Sequence, residues 1–277
     1  MGNCVSTPFP YLNDEHFAEY AEAGIGAFEL SVDAPDFERL DLNDISRIAE
    51  KNGIDRWSFY LPFYFLDNVV ISVPDEESRK KCVAFHGESI RRAADAGFKH
   101  IVLHPSSEPI HDSERTSQLV AAKRSIEEIA VICEREGVVL AVENLPRTCL
   151  ANTAKELLDL IDGIDGVGIC FDVNHLLAED QIYFLEAVAD KLVTVHLSDY
   201  DRINERHWLP GEGIIDWTAL IKGFERVGYN GPLMYEINRG GDKTIARDAV
   251  LTPSDFARNA NEIVNGLPIT KLGRVLV

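Results

Sequence analysis

The sequence predicts a single-domain α/β protein with the (β/α)8 fold, the TIM barrel. Its 277 residues contain eight short apolar runs, each followed by a helix-like stretch, and eight such units match the size of this fold. The middle runs are apolar almost throughout, as is typical of parallel strands covered on both faces. A doubly wound open sheet is the alternative, but the first strand–helix turn lacks the G-x-G-x-x-G pattern that would support it.

The eight units follow one another without a linker or a low-complexity tract between them. The predicted strands are NCVST (3–7), AFELSV (27–32), WSFYLPF (57–63), HIVLHP (100–105), VVLAVENL (138–145), VGICFDV (167–173), LVTVHLS (192–198) and PLMYEIN (232–238). The predicted helices span 14–24, 42–53, 74–97, 113–137, 153–164, 180–191, 216–228 and 254–266. We predict one domain over 1–277, in which 267–277 is a C-terminal tail.

The first predicted strand overlaps a lipidation pattern. The opening MGNCVS fits the myristoylation consensus, with Cys4 placed for a second acyl chain. The count of eight strands needs NCVST, because without it the barrel has no first strand. We therefore predict that this segment is strand one and not a lipid anchor.

Composition and charge narrow the classes of function. The net charge of -19 repels phosphate backbones, so nucleic acid is a disfavoured partner. No apolar run approaches the ~20 residues that a membrane span needs. The five cysteines are scattered and odd in number, which is typical of reduced thiols in a cytoplasmic protein. We therefore expect a small-molecule substrate, with neither nucleic acid nor membrane as a partner.

Ionisable side chains end most of the predicted strands, directly after an apolar run. In the order of strands two to eight these residues are Glu29, Tyr60, His104, Glu143, Asp172, His196 and Glu236. Barrel active sites lie at the carboxyl ends of the strands. Neighbouring strands are about 4.8 Å apart, so these side chains should converge. Alone in its apolar run, His196 would be interpreted as a core histidine, but these neighbours favour a site.

The last four of these residues predict a metal site. Three carboxylates in one partly buried site repel one another and are driven to take up protons, and one divalent cation relieves that repulsion. The imidazole supplies the fourth ligand, and we call Glu143, Asp172, His196 and Glu236 the ligand tetrad. Three oxygens and one nitrogen suit Mn²⁺, Mg²⁺ or Co²⁺ and tolerate Zn²⁺.

The segments that carry these residues resemble the xylose-isomerase-like TIM barrel superfamily. This group contains sugar-phosphate isomerases and epimerases and the type IV apurinic endonucleases (AP endonuclease family 2). The resemblance covers nearly the whole chain and is closest in motif to ketose 3-epimerases and keto-polyol isomerases. It is carried by LHPSS (103–107), VENLP (142–146), CFDVNH (170–175), VHLSDYDR (195–202), LPGEGIIDW (209–217) and YEIN (235–238).

The resemblance implies roles for individual residues. Ketose 3-epimerases hold one metal with Glu, Asp, His and Glu from strands five to eight, and these match the ligand tetrad. The family's D-x-x-H histidine falls on His175, and its substrate arginine, six residues after the strand-seven histidine, falls on Arg202. Further substrate contacts are expected from Tyr60, His104, His207 and Glu29. The carboxylate on strand two has an alternative role, which is to satisfy polar atoms low in the barrel.

The implied activity is metal-dependent isomerisation or epimerisation of a sugar or keto-polyol in carbohydrate metabolism. The ion would stabilise an enediolate, while one of Glu143 and Glu236 removes a proton and the other returns it. Apart from Gly240-Gly241, no glycine cradle for a phosphate follows strands seven and eight. An unphosphorylated substrate is therefore favoured.

Two alternative activities use the same scaffold. A metal-dependent lyase or dehydratase would form the same enolate and then expel a β-hydroxyl. The apurinic endonucleases bind three zinc ions, with a histidine at the end of strand three and an Asp-x-His after strand seven. Here these positions read Tyr60 and Glu205-Arg206-His207, so the trinuclear set is incomplete. Because His104 and His207 are retained, a second metal ion at these residues stays an alternative.

Overall fold

Eight parallel strands close into a barrel, which confirms the predicted fold. The computed structural model describes residues 3–7, 11–63 and 69–277. Each strand pairs with the next along the chain, and the eighth closes on the first. The strands are β1 (Asn3–Thr7), β2 (Ala27–Ser31), β3 (Asp55–Tyr60), β4 (His100–Leu103), β5 (Val139–Glu143), β6 (Val167–Asp172), β7 (Leu192–Leu197) and β8 (Leu233–Tyr235).

Helices follow the strands at the predicted positions. They are α1 (Asp14–Glu22), α2 (Ala34–Phe37), α3 (Leu42–Lys51), α4 (Glu76–Asp95), α5 (Asp112–Glu136), α6 (Ala154–Ile161), α7 (Gln181–Val188), α8 (Trp217–Arg226) and α9 (Pro253–Val264). Their starts follow local chemistry: Asn13 accepts the backbone N–H of His16, and Thr252 forms a capping box with Asp255. The sequence does not predict α2, because four residues are too few to show a helical period.

Apolar packing holds the helices against the barrel. Every position of β6 is buried, as expected for a strand with helices outside and side chains inside. On this strand Phe171 stacks on Phe184 of α7 with ring centroids 4.8 Å apart, and it also contacts the ring of Phe224 of α8. Full burial of such a side chain contributes roughly 1.5–3 kcal/mol. This packing keeps the strands that end in polar residues in one register.

The strand register brings the ligand tetrad to one end of the barrel. In the β6–β7 ladder Asp172 is paired with His196, and Glu143 is paired with Cys170 on the β5–β6 side. Side chains two residues apart on a strand face the same side, so Cys170 and Asp172 both point into the barrel. Glu236 follows directly after β8, which pairs with β7. Four neighbouring strands therefore deliver the four residues to one place.

The segment NCVST forms β1, as predicted. It pairs with β2 on one side and β8 on the other, and so completes the barrel. The side chain of Cys4 lies outside the described part of the structure. Across the described ranges, each helix is too short or too polar to cross a membrane.

Residues 267–277, predicted as a C-terminal tail, include a short strand. This strand, β10 (Gly273–Val275), pairs antiparallel with β9 (Ile245–Arg247). Beside it a buried ion pair joins Arg247 to Glu212, with N and O 2.7 Å apart. Removing either partner of a buried ion pair would leave an uncompensated charge in the interior and destabilise the fold. The C-terminal segment is thus attached to the loop that follows β7.

Candidate metal and substrate site

The ligand tetrad forms one compact cluster. One donor atom from each of Glu143, Asp172, His196 and Glu236 lies within 4.8 Å of the others. The Nδ1 atom of His196 is 3.0 Å from Glu143 Oε1 and 3.2 Å from Glu236 Oε2. Three of the side chains are fully buried, whereas that of Glu236 is 22% exposed. The residues that the sequence singled out are therefore adjacent in space.

The donor set fits a divalent cation. Among the residues that the structure describes, the buried atoms Asp172 Oδ2 and Glu236 Oε2 have no hydrogen-bond partner. Burial raises the pKa of Asp172 to about 7, and the nearby Glu236 and Glu143 add to the rise while His175 opposes it. Buried carboxylate oxygens without a partner are costly. A divalent ion held by the tetrad would satisfy these oxygens and favour the ionised carboxylates.

Glu143 is held by residues from β3 and the end of β4. The Tyr60 hydroxyl donates to Glu143 Oε2 and also contacts Nε2 of His104. His104 Nε2 is itself 3.3 Å from the same carboxylate oxygen. Burial opposes ionisation of Glu143, but the charge of His196 and the hydrogen bond from His104 outweigh it and hold its pKa well below the usual value. Burial raises the pKa of Tyr60, so this hydroxyl keeps its proton and donates.

His175 lies beside the tetrad, where the resemblance implied a substrate contact. Its Nδ1 is hydrogen-bonded to the carbonyl of Asn144 at 2.9 Å, and its Nε2 is 3.2 Å from Glu205 Oε2 and 3.6 Å from Asp172 Oδ2. Burial lowers its pKa, but Asp172 and Glu205 outweigh that effect and raise it to about 10. Together with His207 these side chains form a second group of potential metal ligands, His175, Glu205 and His207.

Asn144 is a positioning residue that the sequence analysis did not single out. Its side-chain Oδ1 accepts the backbone N–H of Asp172 at 2.8 Å, and its Nδ2 donates to the carbonyl of the same residue at 2.9 Å. This paired contact extends the β5–β6 ladder by one side chain and fixes the backbone that carries the ligand. The only signal in the sequence was its place directly after Glu143.

A cavity of about 290 Å³ opens above the tetrad. Its walls come from the loops after β3, β4, β5, β6, β7 and β8. Among the predicted substrate contacts, Tyr60, His104, His175 and His207 line it, together with Glu236. Phe63 adds an apolar wall and stacks against His104 with ring centroids 4.2 Å apart. This volume suits a small polar ligand.

Arg147 brings a guanidinium to this cavity, and the sequence analysis did not name it. It lies in the loop after β5, with a left-handed backbone (φ 52), and its Nη2 is 2.8 Å from Glu205 Oε1. The same guanidinium is paired with Glu108 and contacts Asn204. Both acidic partners also line the cavity. The cation is therefore neutralised within the protein.

The loop after β7 is organised by a buried aspartate. Asp199 accepts hydrogen bonds from the backbone N–H of Gly211 and from Nε1 of Trp217, each at 2.8 Å. Gly213 passes so close that a Cβ would lie 2.2 Å from the carbonyl oxygen of Tyr200. This tight fold of the loop holds Glu205 and His207 over the barrel mouth.

Arg202, implied as a substrate residue, points elsewhere in the structure. Its side chain is exposed, and its Nη2 donates to the carbonyl of Glu179 at 2.8 Å. The physical reason is a tight turn: Asp201 Oδ1 accepts the N–H groups of Ile203 and Asn204, and Arg202 takes a left-handed φ of 63°. Within the described ranges, the residues lining the cavity do not include Arg202.

Glu29 lies below the tetrad and does not line the cavity in the described part of the chain. It is fully buried and accepts a hydrogen bond from the Ser58 hydroxyl at 2.7 Å. Its carboxylate faces Nε2 of His196 at 3.1 and 3.2 Å. The structure thus places this residue low in the barrel, against the side of the imidazole that faces away from the tetrad.

The protein is a closed (β/α)8 barrel with a cluster of carboxylates and one imidazole at the carboxyl ends of β5 to β8, and these two features define its class. Within that class, the family model described as xylose isomerase-like TIM barrel matches residues 17–255 of the chain. The chain therefore belongs to this family, in agreement with the resemblance seen in its motifs.

The similar proteins carry names that point to different activities. An uncharacterized protein of Methanocaldococcus jannaschii, MJ1311, is 29% identical over 200 residues, which cover 69% of this chain and 66% of the relative, slightly under two thirds of its length. A probable endonuclease 4 of Acholeplasma laidlawii is 25% identical over 205 residues, 67% of this chain and 68% of that protein. The crystal structure of a D-tagatose 3-epimerase-like protein superposes with a TM-score of 0.77 at 20% identity and covers 96% of this chain and 99% of its own, which shows a shared fold.

Proposed function

We propose that this protein is a divalent-metal-dependent isomerase or epimerase of a sugar or keto-polyol. The observation that carries the proposal is the tetrad itself, in which two glutamates come from the two outer strands of four, next to a small polar cavity. The D-tagatose 3-epimerase-like neighbour shares the fold and supports the same class of substrate.

A divalent ion held by Glu143, Asp172, His196 and Glu236 would polarise the substrate carbonyl and stabilise the negative charge that develops beside it. The chain's own residues supply the proton transfer. Glu236 lines the cavity. Without a metal, burial opposes its ionisation, but the charge of His196 lowers its pKa to about 2, and a bound divalent ion would favour the same ionised form. It is therefore a carboxylate at neutral pH and is available to accept a proton from the substrate. Glu143, on the other outer strand, serves the return of the proton.

The charges around the cavity favour a neutral substrate. The guanidinium of Arg147 is already paired with Glu108 and Glu205. A phosphate in the cavity would therefore lie beside two carboxylates, with no free guanidinium from Arg147 to bind it. Like charges in a poorly solvated site are repulsive. This supports the sequence-based preference for an unphosphorylated sugar or keto-polyol.

Phosphodiester hydrolysis is a second candidate, favoured by the endonuclease 4 relative and by the His175, Glu205 and His207 group. Against this candidate, Tyr60 lies where the apurinic endonucleases have a histidine ligand, and its hydroxyl donates a hydrogen bond to Glu143. The net charge of -19 also opposes approach of a DNA backbone. We therefore rank it below the isomerase.

The proposal is tested with metal-reloaded protein and a panel of ketoses and keto-polyols in D₂O. An isomerase or epimerase incorporates solvent deuterium next to the carbonyl and yields a product of unchanged formula. A dehydratase, the alternative on this scaffold, yields a product that has lost water by mass spectrometry. Cleavage of DNA containing an abasic site, without turnover of any sugar, would replace the proposal by the endonuclease. Phosphorylated members of the panel should be turned over more slowly than their free counterparts.

A further inference from the structure

The imidazole of His196 is enclosed between carboxylates at both ring nitrogens. Its Nδ1 faces the tetrad, 3.0 Å from Glu143 Oε1. On the far side its Nε2 is hydrogen-bonded to Glu29 Oε2 at 3.2 Å and lies 3.1 Å from Oε1. Both the imidazole and the Glu29 carboxylate are fully buried. The two nitrogens of one ring therefore meet different groups.

Glu29 stands outside the group that could hold the ion. The tetrad brings its donor atoms within 4.8 Å of one another, and among the described residues this group does not include Glu29. The β2–β3 register pairs Glu29 with Ser58, whose hydroxyl donates to Oε2 at 2.7 Å. Its other oxygen, Oε1, has no hydrogen-bond partner within the described ranges. The carboxylate is thus anchored by Ser58 and directed at one imidazole nitrogen.

Metal binding requires one orientation of this ring. A neutral imidazole has one N–H donor and one nitrogen lone pair, and only the lone pair can bind a cation. The hydrogen bond made by the other nitrogen decides which nitrogen is free. A carboxylate behind a metal-binding histidine fixes both the proton and the ring plane.

We propose that Glu29 is a positioning residue for His196, which accepts the Nε2–H and keeps Nδ1 turned toward the tetrad. This inference rests on the proposed metal site but concerns a residue outside it. In this proposal Glu29 does not contact the substrate, as its position at a strand end suggested, but orients the imidazole of His196. Ser58 assists by donating a hydrogen bond to the carboxylate.

The first measurement uses the wild-type protein with its histidines labelled with ¹⁵N. Long-range ¹H–¹⁵N spectra are recorded for the metal-free and the Zn²⁺-loaded protein, with His196→Gln for assignment. We expect a protonated Nε2 in both states and a Zn²⁺-induced shift at Nδ1. An unprotonated Nε2, or a zinc shift at Nε2, would overturn the proposal without any variant being made.

The second measurement compares Glu29→Gln with Ser58→Ala by titration calorimetry with Mn²⁺. Glu29→Gln preserves the shape but removes the charge, so we expect Mn²⁺ affinity to fall about 10- to 100-fold. Ser58→Ala keeps the charge of Glu29 but removes the hydrogen bond that anchors it, so we expect a smaller loss of affinity than in Glu29→Gln. If Glu29→Gln does not fold, Glu29→Asp, which keeps the charge on a shorter chain, replaces it. Wild-type affinity in the folded charge-neutral variant would contradict the inference.

Failure of the proposed function gives a different result. If the wild-type protein bound no Mn²⁺ and turned over no sugar, the metal-dependent isomerase would be wrong. The nitrogen spectra of the metal-free protein would still report whether Glu29 holds the Nε2 proton. A protonated Nε2 that is lost or strongly shifted in Glu29→Gln supports the positioning contact, and an unchanged signal rejects it.

Discussion

The two glutamates of the ligand tetrad have different surroundings. Glu143, on β5, is fully buried, with Oε1 3.0 Å from His196 Nδ1 and Oε2 occupied by the Tyr60 hydroxyl. Glu236, just after β8, is 22% exposed and lines the cavity, and its Oε2 has no hydrogen-bond partner in the described part of the chain. The first carboxylate is closed on all sides, whereas the second faces the cavity.

This difference separates two roles that look identical in the sequence. A general base must reach the proton it removes, either directly or through one water. Glu236 meets that condition in the cavity, whereas Glu143 is restrained by residues from β3 and β4. We infer that Glu236 takes the substrate proton and that Glu143, which is held more rigidly, returns it.

The largest effect should follow from removing a ligand that is neither glutamate. Replacing Asp172 or His196 by Ala leaves the remaining buried carboxylates without their cation, so metal and activity should be lost together. Elemental analysis of chelator-treated and reloaded protein measures this, with Asp255→Ala in the α9 cap as control. Full metal content in both variants would place the metal elsewhere.

The different roles of the two glutamates are tested by the variants Glu143→Gln and Glu236→Gln. Each Gln keeps an oxygen for the metal but cannot accept a proton, so we expect much of the metal to stay and turnover to fall by ~10²-fold or more. If Glu236 is the base, Glu143→Gln should still exchange the substrate α-hydrogen with D₂O, and Glu236→Gln should not.

A buried glutamate away from the site, Glu262→Gln, is the matched control for both variants. The reverse pattern of exchange would assign the base to Glu143. Near wild-type turnover in both variants, with metal bound, would eliminate a two-glutamate mechanism.

The closed side of the site is tested by Tyr60→Phe. Loss of a hydrogen bond to a charged group costs about 1.5–3 kcal/mol, which corresponds to roughly 10- to 100-fold in turnover or metal affinity. Tyr235→Phe removes a buried hydroxyl that donates to Asn259, and it should affect thermal stability without affecting turnover. Equal activity losses in the two variants would mean that Tyr60 acts only through folding.

Metal affinity should depend on pH near neutrality. The pKa of Asp172 is raised to about 7 by burial, and the ion binds only the deprotonated carboxylate. As pH falls through about 7, a proton competes with the metal, and affinity should drop by up to ~10-fold per pH unit. Calorimetry between pH 6 and pH 8 at constant ionic strength, a window that brackets the pKa of Asp172, measures the slope. A flat profile would show that Asp172 is ionised without the ion.

The smallest effect is expected for Arg202→Ala. Its side chain is exposed and bonded to the Glu179 carbonyl, so turnover and KM should stay within ~2-fold of the wild type. Arg147→Ala should lower turnover more, because it leaves Glu108 and Glu205 without the cation that they share. A loss of 10-fold or more in Arg202→Ala alone would return this arginine to the substrate site.

Much of the architecture could be predicted from local patterns. Eight apolar runs alternate with amphipathic stretches, and this periodicity depends on neighbours in the chain alone. A barrel places the carboxyl ends of its strands together, so the sequence alone predicts that Glu143, Asp172, His196 and Glu236 form one group. The weak or short elements, α2, β9 and β10, escaped because three or four residues show no period.

The tertiary structure decided what depends on contacts between distant segments. Arg202 has the spacing of a substrate residue, but the turn at Asp201 directs it to the surface. Glu29 ends a strand like its neighbours, yet only the β2–β3 register and the depth of His196 place it behind the imidazole. The sequence alone determined that the ligand tetrad meets at the barrel mouth, because strand order and pleat are local and repetitive. Only the tertiary structure decided that Glu143 is enclosed while Glu236 faces the cavity. Glu143 is enclosed by Tyr60, which lies 83 residues away in the chain, and by His104. Residues so far apart in the chain come into contact only when the barrel closes.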